Sequence, residues 1–358
     1  KKFDSFKNSC YYTDEKNYIQ NNISNWGNDM KKVISTVVSV LLICGLATAR
    51  VNKSKQGQTR ASTNGKPVTI RWASVHPTAH PASQMMARIA EEVSEQTNGR
   101  VEIKGFPAAQ LGASMDLIRG TQAGSIDMVS EGAANFGLYA PSVTIAEAPY
   151  IWRNIDHFEK ALNGPFGQKI SEELAGSGMR LLGAMYYGTR HLSTSTKEVH
   201  SVADCAGMKI RVPENDIFVA MAHSWGSNSR PITFSELYIA LQYNIVDAQE
   251  NPLPTFASAK FQEVQKYVIL TGHVMTPLLI VINENTWQKL DPADREIVQA
   301  SLAKNIEWQN DEIIKQENEL IATLKSQGIT IITPDVESFR VATLKTLPPM
   351  FEAKWGKG

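Results

Sequence analysis

The chain has 358 residues, with 36 Lys and Arg balanced by 36 Asp and Glu, and 42% of it is hydrophobic. That is an ordinary globular composition, long enough for about two domains. Zero net charge argues against a nucleic-acid binder, which needs a basic face, and no run of like charges offers a polyanion-binding tail.

Met30-Lys31-Lys32 opens an uncharged run from Val33 to Leu46, and Ala47-Thr48-Ala49 follows. A basic start, an apolar middle and an A-x-A site are the layout of a secretory signal peptide over residues 30–49. The 14-residue run falls short of the ~20 residues that span a bilayer as a helix. Cleavage is expected after Ala49. Ile43 precedes Cys44 where a lipoprotein signal has a small residue, which disfavours lipid attachment. Residues 1–29 are polar, rich in Asn and Lys, and aperiodic; they read as an upstream extension from a misassigned start. Cys10 and Cys44 precede the cleavage site, so only Cys205 remains and no internal disulfide is expected. A lone Cys is more often a small core residue than a nucleophile.

Residues 50–66 read as a disordered polar leader. Val68–Ala73 alternates like a strand. Ser83–Thr97 carries Met86, Ile89, Ala90 and Val93 on one helical face, with Gly99 placed to end it. A strand beginning at Val101–Ile103, a short helix over Ser114–Ala123 and a strand over Ile126–Val129 continue the alternation, which indicates a parallel α/β sheet. Further strands are expected over Met179–Tyr187, Met208–Val212, Val246–Ala248 and Leu278–Ile282, and helices over Ile217–Trp225 and Glu236–Gln242. From Ala293 to Gln327 there is no Pro or Gly, and Asp291-Pro292 suits a helix start. One helix lying across two lobes as a spine is the expectation; the alternatives are a kinked helix or two helices meeting near Asn310. With no linker between them, the lobes are expected to exchange chain more than once.

Catalytic signatures are missing: there is no G-x-S-x-G, H-E-x-x-H, G-x-x-x-x-G-K or G-x-G-x-x-G pattern. His76 and His80 have the spacing of a helical metal pair, but Pro77 and Pro81 make the stretch a loop. It reads instead as a cleft wall. Other polar residues gather at strand ends. Arg211 closes Gly207-Met208-Lys209-Ile210-Arg211-Val212-Pro213-Glu214, and its planar fork can grip a carboxylate at two points. Arg190 follows a strand in Tyr187-Gly188-Thr189-Arg190, Asn251 follows another in Gln249-Glu250-Asn251-Pro252, and Glu131 follows a third in Ser130-Glu131-Gly132. Singly, each reads as well as a surface residue or a salt bridge. Together they suggest a cleft, because open α/β sheets bind ligands beyond their strand carboxyl ends.

These stretches carry a specific resemblance. Gly207–Pro213, Pro231–Leu241 with Phe234-Ser235-Glu236-Leu237-Tyr238, Val246–Pro252, Gly105-Phe106-Pro107 through Leu111-Gly112, and Asp291-Pro292 resemble, in order and spacing, the periplasmic receptor subunit of tripartite ATP-independent periplasmic (TRAP) transporters, the C4-dicarboxylate-binding family. The likeness covers about Val68 to Trp355. It implies a two-lobed α/β binding protein of type II form, with crossing strands and a long spanning helix. Lobe I is expected over 67–188 and 277–316, lobe II over 189–276 and 317–358, with hinges near Gly188–Arg190 and Gly272–Pro277. It implies that Arg211 binds the ligand carboxylate, that Arg190 and Asn251 are further contacts, and that Glu131 meets ligand hydroxyls; His76 and Phe234 join the candidate site. Asn244 and Ala248 stand where the family often has Gly, and Arg230 where a smaller residue is common, as a further contact or a surface residue.

The implied function is an extracytoplasmic, periplasmic receptor for a small organic acid, serving the membrane subunits of a TRAP transporter. No catalysis, cofactor, metal or nucleic acid is expected, and the protein is expected to be a monomer. Glu131 would repel a second carboxylate, which favours a sugar acid over a C4-dicarboxylate. The alternatives are a binding protein of an ATP-driven importer or a sensor, and, more distantly, a secreted enzyme.

Overall fold

The computed structural model describes residues 66–356. The upstream extension, the signal segment and all but the last residue of the leader lie outside the described residues. In chain order the elements are β1 (Val68–Ala73), α1 (Pro81–Gln96), β2 (Val101–Phe106), α2 (Ser114–Ala123), β3 (Met128–Gly132), α3 (Ile155–Leu162), α4 (Pro165–Ala175) and β4 (Met179–Thr194). There follow β5 (Lys209–Val212), α5 (Asp216–Ser224), β6 (Asn228–Pro231), α6 (Phe234–Gln242), β7 (Ala248–Pro252), α7 (Leu253–Ser258), β8 (Tyr267–Asn283), α8 (Glu284–Gln288), α9 (Pro292–Ser326), β9 (Thr330–Ile332) and α10 (Val336–Trp355).

All nine strands share one sheet, in the order β2-β1-β3-β8-β4-β7-β5-β6, with β9 beside β8. The β1–β3 end is parallel, as the alternation of strands and helices requires, and so is the β7-β5-β6 end. Between them, β8 and β4 pair antiparallel with each other and with their outer neighbours. The sheet is therefore mixed: two parallel lobes joined by two strands that run through both. Trp72, Met85, Ile89, Leu182, Ile280 and Val298 share a core on the first side. Ile210, Phe218, Trp225, Val274 and Phe339 share one on the second.

The crossing strands are longer than their sequence patterns suggest, β4 by nearly twofold and β8 by more than threefold. β4 has 16 residues and β8 has 17. Their alternation is interrupted where the lobes meet: the β4–β8 register shifts between Tyr186 and Gly188 and again between Arg190 and Leu192. Gly188 (φ 124°) and Gly272 (φ 54°) take backbone conformations that strands do not normally contain. Sequence punctuation by Gly188 and Pro277 thus marks bulges inside continuous strands rather than strand ends. One consequence corrects the placement of three site residues. Glu131, Arg190 and Asn251 lie within β3, β4 and β7, not just past them.

Helix α9 is one element of 35 residues, about 52 Å long at 1.5 Å per residue. Val298 and Leu302 enter the first core, and Arg88 of α1 reaches Asn305 (3.1 Å) and lies 4.3 Å from the Trp308 ring centre. Leu320, Ile321 and Leu324 enter a cluster with Leu237, Phe256 and Phe261 in the second lobe. Midway, the helix grips β4 beside its bulge. Gln309 Nε2 donates to Tyr186 O (3.1 Å), Tyr186 N donates to Asn310 Oδ1 (2.8 Å), and Thr189 N donates to Glu317 Oε1 (2.5 Å). Cys205 is a fully buried free thiol, pushed up to about 12 by burial.

Candidate functional site

A cavity of about 60 Å³ opens where the carboxyl ends of β3 and β5 face each other across the crossing strands. All six residues nominated from sequence line it: Arg211, Arg190, Asn251, Glu131, His76 and Phe234. Sequence reasoning did not nominate Glu147, Thr276, Tyr187, Asn135 or Asn215, which also line it. Tyr187 and Asn215 adjoin the glycine and proline that drew attention to Arg190 and Arg211. Glu147 follows no strand, so no positional signal marks it. Arg230 is exposed, its side chain bonds only Ser229 O among the described residues, and it is not in the cavity wall.

The two arginines differ. Arg190, on β4, is 4% exposed and already paired: Nε and Nη2 reach the two oxygens of Glu250 at 2.5 and 2.8 Å. His273 Nε2 completes the cluster at 3.0 Å from Glu250 Oε2. Burial would raise the Glu250 carboxyl, but Arg190 and His273 outweigh it and hold Glu250 below the usual carboxylate range. Arg211 is 3% exposed, and its one side-chain bond runs from Nε to Ile232 O (2.8 Å). It makes no ion pair among the described residues. Burial pushes it down to about 10, against the attraction of Glu250, which leaves it charged at neutral pH. A buried guanidinium whose terminal nitrogens have no protein partner is a site for an anion.

The opposite side of the cavity is acidic. Glu131 is 2% exposed; Oε2 accepts from Asn135 Nδ2 (3.2 Å), while Oε1 is buried without a partner. Burial pushes its carboxyl up to about 7, opposed by Ser114 and Asn135. Glu147 Oε2 accepts from Ala134 N (2.6 Å), and burial pushes this carboxyl too up to about 7, opposed by Arg190. Asn215 Nδ2 donates to Asn135 Oδ1 (2.9 Å) across the cleft, so a chain of hydrogen bonds links Glu131 to the N-terminus of α5.

The remaining nominated residues are neutral walls. His76 Nδ1 lies 2.6 Å from Ser74 Oγ, and burial together with Arg190 lowers the ring to about 3, so it carries no charge. Its ring packs 4.8 Å from Tyr187 and 5.4 Å from His80. His80 caps α1, accepting from Ala82 N (3.1 Å). Asn251 Nδ2 donates to Gln249 Oε1 (2.6 Å), leaving its carbonyl oxygen without a donor among the described residues. Phe234, the first residue of α6, sets its ring against Phe261 at 6.1 Å. Among the described residues no group of three or more His, Cys, Asp and Glu is placed to hold a metal.

Two lobes, crossing strands and a buried cavity with a free cation define a solute-binding receptor. A family model described as bacterial extracellular solute-binding protein, family 7, matches residues 72–354. The sialic acid-binding periplasmic protein SiaP of Vibrio cholerae is 34% identical over 286 residues, covering 80% of this chain and 88% of that protein. A TRAP periplasmic solute-binding protein from a Polaromonas species, solved with D-erythronate, superposes with a TM-score of 0.77 at 29% identity, covering 80% of this chain and 95% of the other. Another, from Sulfurospirillum deleyianum with succinate, gives 0.77 at 27% identity, covering 81% and 96%. The chain belongs to the family 7 extracellular solute-binding proteins.

Proposed function

We propose that this chain is a periplasmic receptor that captures a hydroxylated monocarboxylate of the sugar-acid class and delivers it to the membrane subunits of a TRAP transporter. One observation carries the ligand class: the cavity sets Arg211, a buried cation without a counter-ion, against Glu131, a buried carboxyl with an unpartnered oxygen. A ligand with its carboxylate on Arg211 and a hydroxyl on Glu131 satisfies both. A second carboxylate in place of the hydroxyl would meet Glu131 as a like charge. The erythronate and sialic acid named for two relatives fit this reading; the succinate of the third is the competing case.

The rest of the reading follows the same lines. Binding and release, not turnover, is the work, and closed-liganded is favoured over open-empty by the ligand's differential affinity. Arg211 is the anchor, Arg190 and Asn251 are lesser contacts, and His76 and Phe234 are walls. The bulges at Gly188 and Gly272 support hinges near Gly188–Arg190 and Gly272–Pro277, with lobes over 67–188 plus 277–316 and 189–276 plus 317–358. The receptor acts as a monomer after removal of residues 30–49. A thermal-shift screen of organic acids tests the ligand class, because a ligand that binds only the folded state raises its melting temperature. Hydroxylated monocarboxylates are expected to give the largest shifts; larger shifts with C4-dicarboxylates would reject the assignment.

A further inference from the structure

Glu147 and Thr276 stand in the cavity wall and have no part in the reading above. Thr276 lies on β8 opposite Gly188 of β4, is 2% exposed, and its Oγ1 has no hydrogen-bond partner among the described residues. Glu147 is 3% exposed, and its Oε2 accepts from Ala134 N. The backbone makes room for it, since a Cβ on Gly132 would stand 3.3 Å from both Glu147 oxygens. Thr276 is also near enough to Glu147 to oppose the rise of its carboxyl. Glu131 Oε1 is a second unpartnered oxygen in the same wall.

Buried polar atoms are nearly always hydrogen-bonded. Two bare oxygens, Thr276 Oγ1 and Glu131 Oε1, in the wall of one small cavity therefore prescribe what the occupant has to supply. An ionised carboxylate only accepts, whereas a protonated one, like a Thr hydroxyl, also donates; with Glu131 and Glu147 pushed up to about 7, hydroxyls, which do both, match this wall in either state. The occupant must offer several donors at this end, while its carboxylate takes the donors of Arg211 at the other. We propose that Thr276 and Glu147 form a second hydroxyl-recognising subsite beside Glu131, selecting acids with more than one hydroxyl. The inference rests on the hydroxylated-monocarboxylate reading and names which wall counts the hydroxyls.

Calorimetry tests it with two four-carbon probes, D-erythronate, hydroxylated at every carbon beyond the carboxylate, and 2-hydroxybutyrate, hydroxylated once. Thr276→Val is close to isosteric and keeps a strand-favouring residue in β8. It is expected to weaken D-erythronate about tenfold, the scale of one hydrogen bond, and to leave 2-hydroxybutyrate within about twofold. Thr276→Ser should restore D-erythronate binding, and Glu147→Gln should weaken D-erythronate selectively as well. Wild-type affinity of Thr276→Val for D-erythronate, or equal loss for both probes, would overturn the subsite while leaving the ligand class standing. Failure of the unaltered protein to bind either D-erythronate or galactonate would remove the ligand class and the subsite with it. Tighter binding of 4-aminobutyrate than of D-erythronate would assign the acidic wall to an ammonium group instead.

Discussion

Arg211 and Arg190 are chemically identical and sit in one cavity, yet their surroundings give them different work. Arg190 has its fork filled by Glu250, so removing it would strand a buried carboxylate and damage the protein itself. Arg211 has only a carbonyl partner. Arg211→Ala should therefore leave the fold intact by circular dichroism while costing roughly 3–5 kcal/mol of ligand binding, the penalty for a buried charge without its partner. That is about a hundred- to several-thousand-fold in affinity by calorimetry. Arg211→Lys keeps the charge without the fork and should bind weakly. Near-wild-type affinity of a folded Arg211→Ala variant would remove Arg211 from the site.

Glu131 and Glu147 make a pH prediction at the same scale. Their carboxyls are pushed up from an ordinary 4.5 to about 7 in the folded state. The folded state thus holds protons that the unfolded state releases between about 4.5 and 7. Their contribution to stability is fully present below 4.5 and is lost as pH rises through about 7. Denaturant titrations of the ligand-free protein should show this loss, and the Glu131→Gln, Glu147→Gln double variant should show less of it. Identical pH profiles for the two proteins would contradict the assignment. At this scale the site was largely legible, because Arg211 and Glu131 are polar residues at the ends of apolar strands. Glu147 and Thr276 were not: one follows no strand, and the other precedes Pro277, after which the strand read from sequence begins.

Among the elements, the long helix was the easiest to read and the crossing strands the hardest. A break-free stretch opened by Asp291-Pro292 has no competing interpretation as a strand or loop. In β4 and β8, the residues that let the strands bend between lobes are the glycines and prolines that sequence reading takes as stops. Helix α10 went unread for a related reason, since Pro348 and Pro349 lie inside it. The antiparallel pairing of β3 with β8 depends on contacts 150 residues apart in the chain, as in Met128 with Ile282, which local pattern cannot reveal. The helix reading also predicts a mutational cost. Ile306 packs against the first core from α9, with Cδ1 against Gly183 of β4. Ile306→Pro removes one helix hydrogen bond and clashes with the preceding turn, so it should destabilise the protein by about 3 kcal/mol or more. Unchanged unfolding by heat and denaturant would argue against a continuous helix there.

For the molecule as a whole, one sheet and one helix run from one core to the other, and the cavity is lined from both parallel ends of the sheet. Arg211 on β5 and Glu131 on β3 come from opposite parallel ends of the sheet, with β8, β4 and β7 between them. A ligand that bridges them stabilises closure, because opening separates its two partners. The Asn135–Asn215 hydrogen bond spans the same two ends of the sheet. The central claim is that closure is driven by an acid with one carboxylate and hydroxyls. Calorimetry of the whole protein against D-erythronate, galactonate and succinate, under one buffer and salt condition, tests it most directly. The account predicts that at least one of the two hydroxylated monocarboxylates binds more tightly than succinate; succinate binding more tightly than both would contradict it.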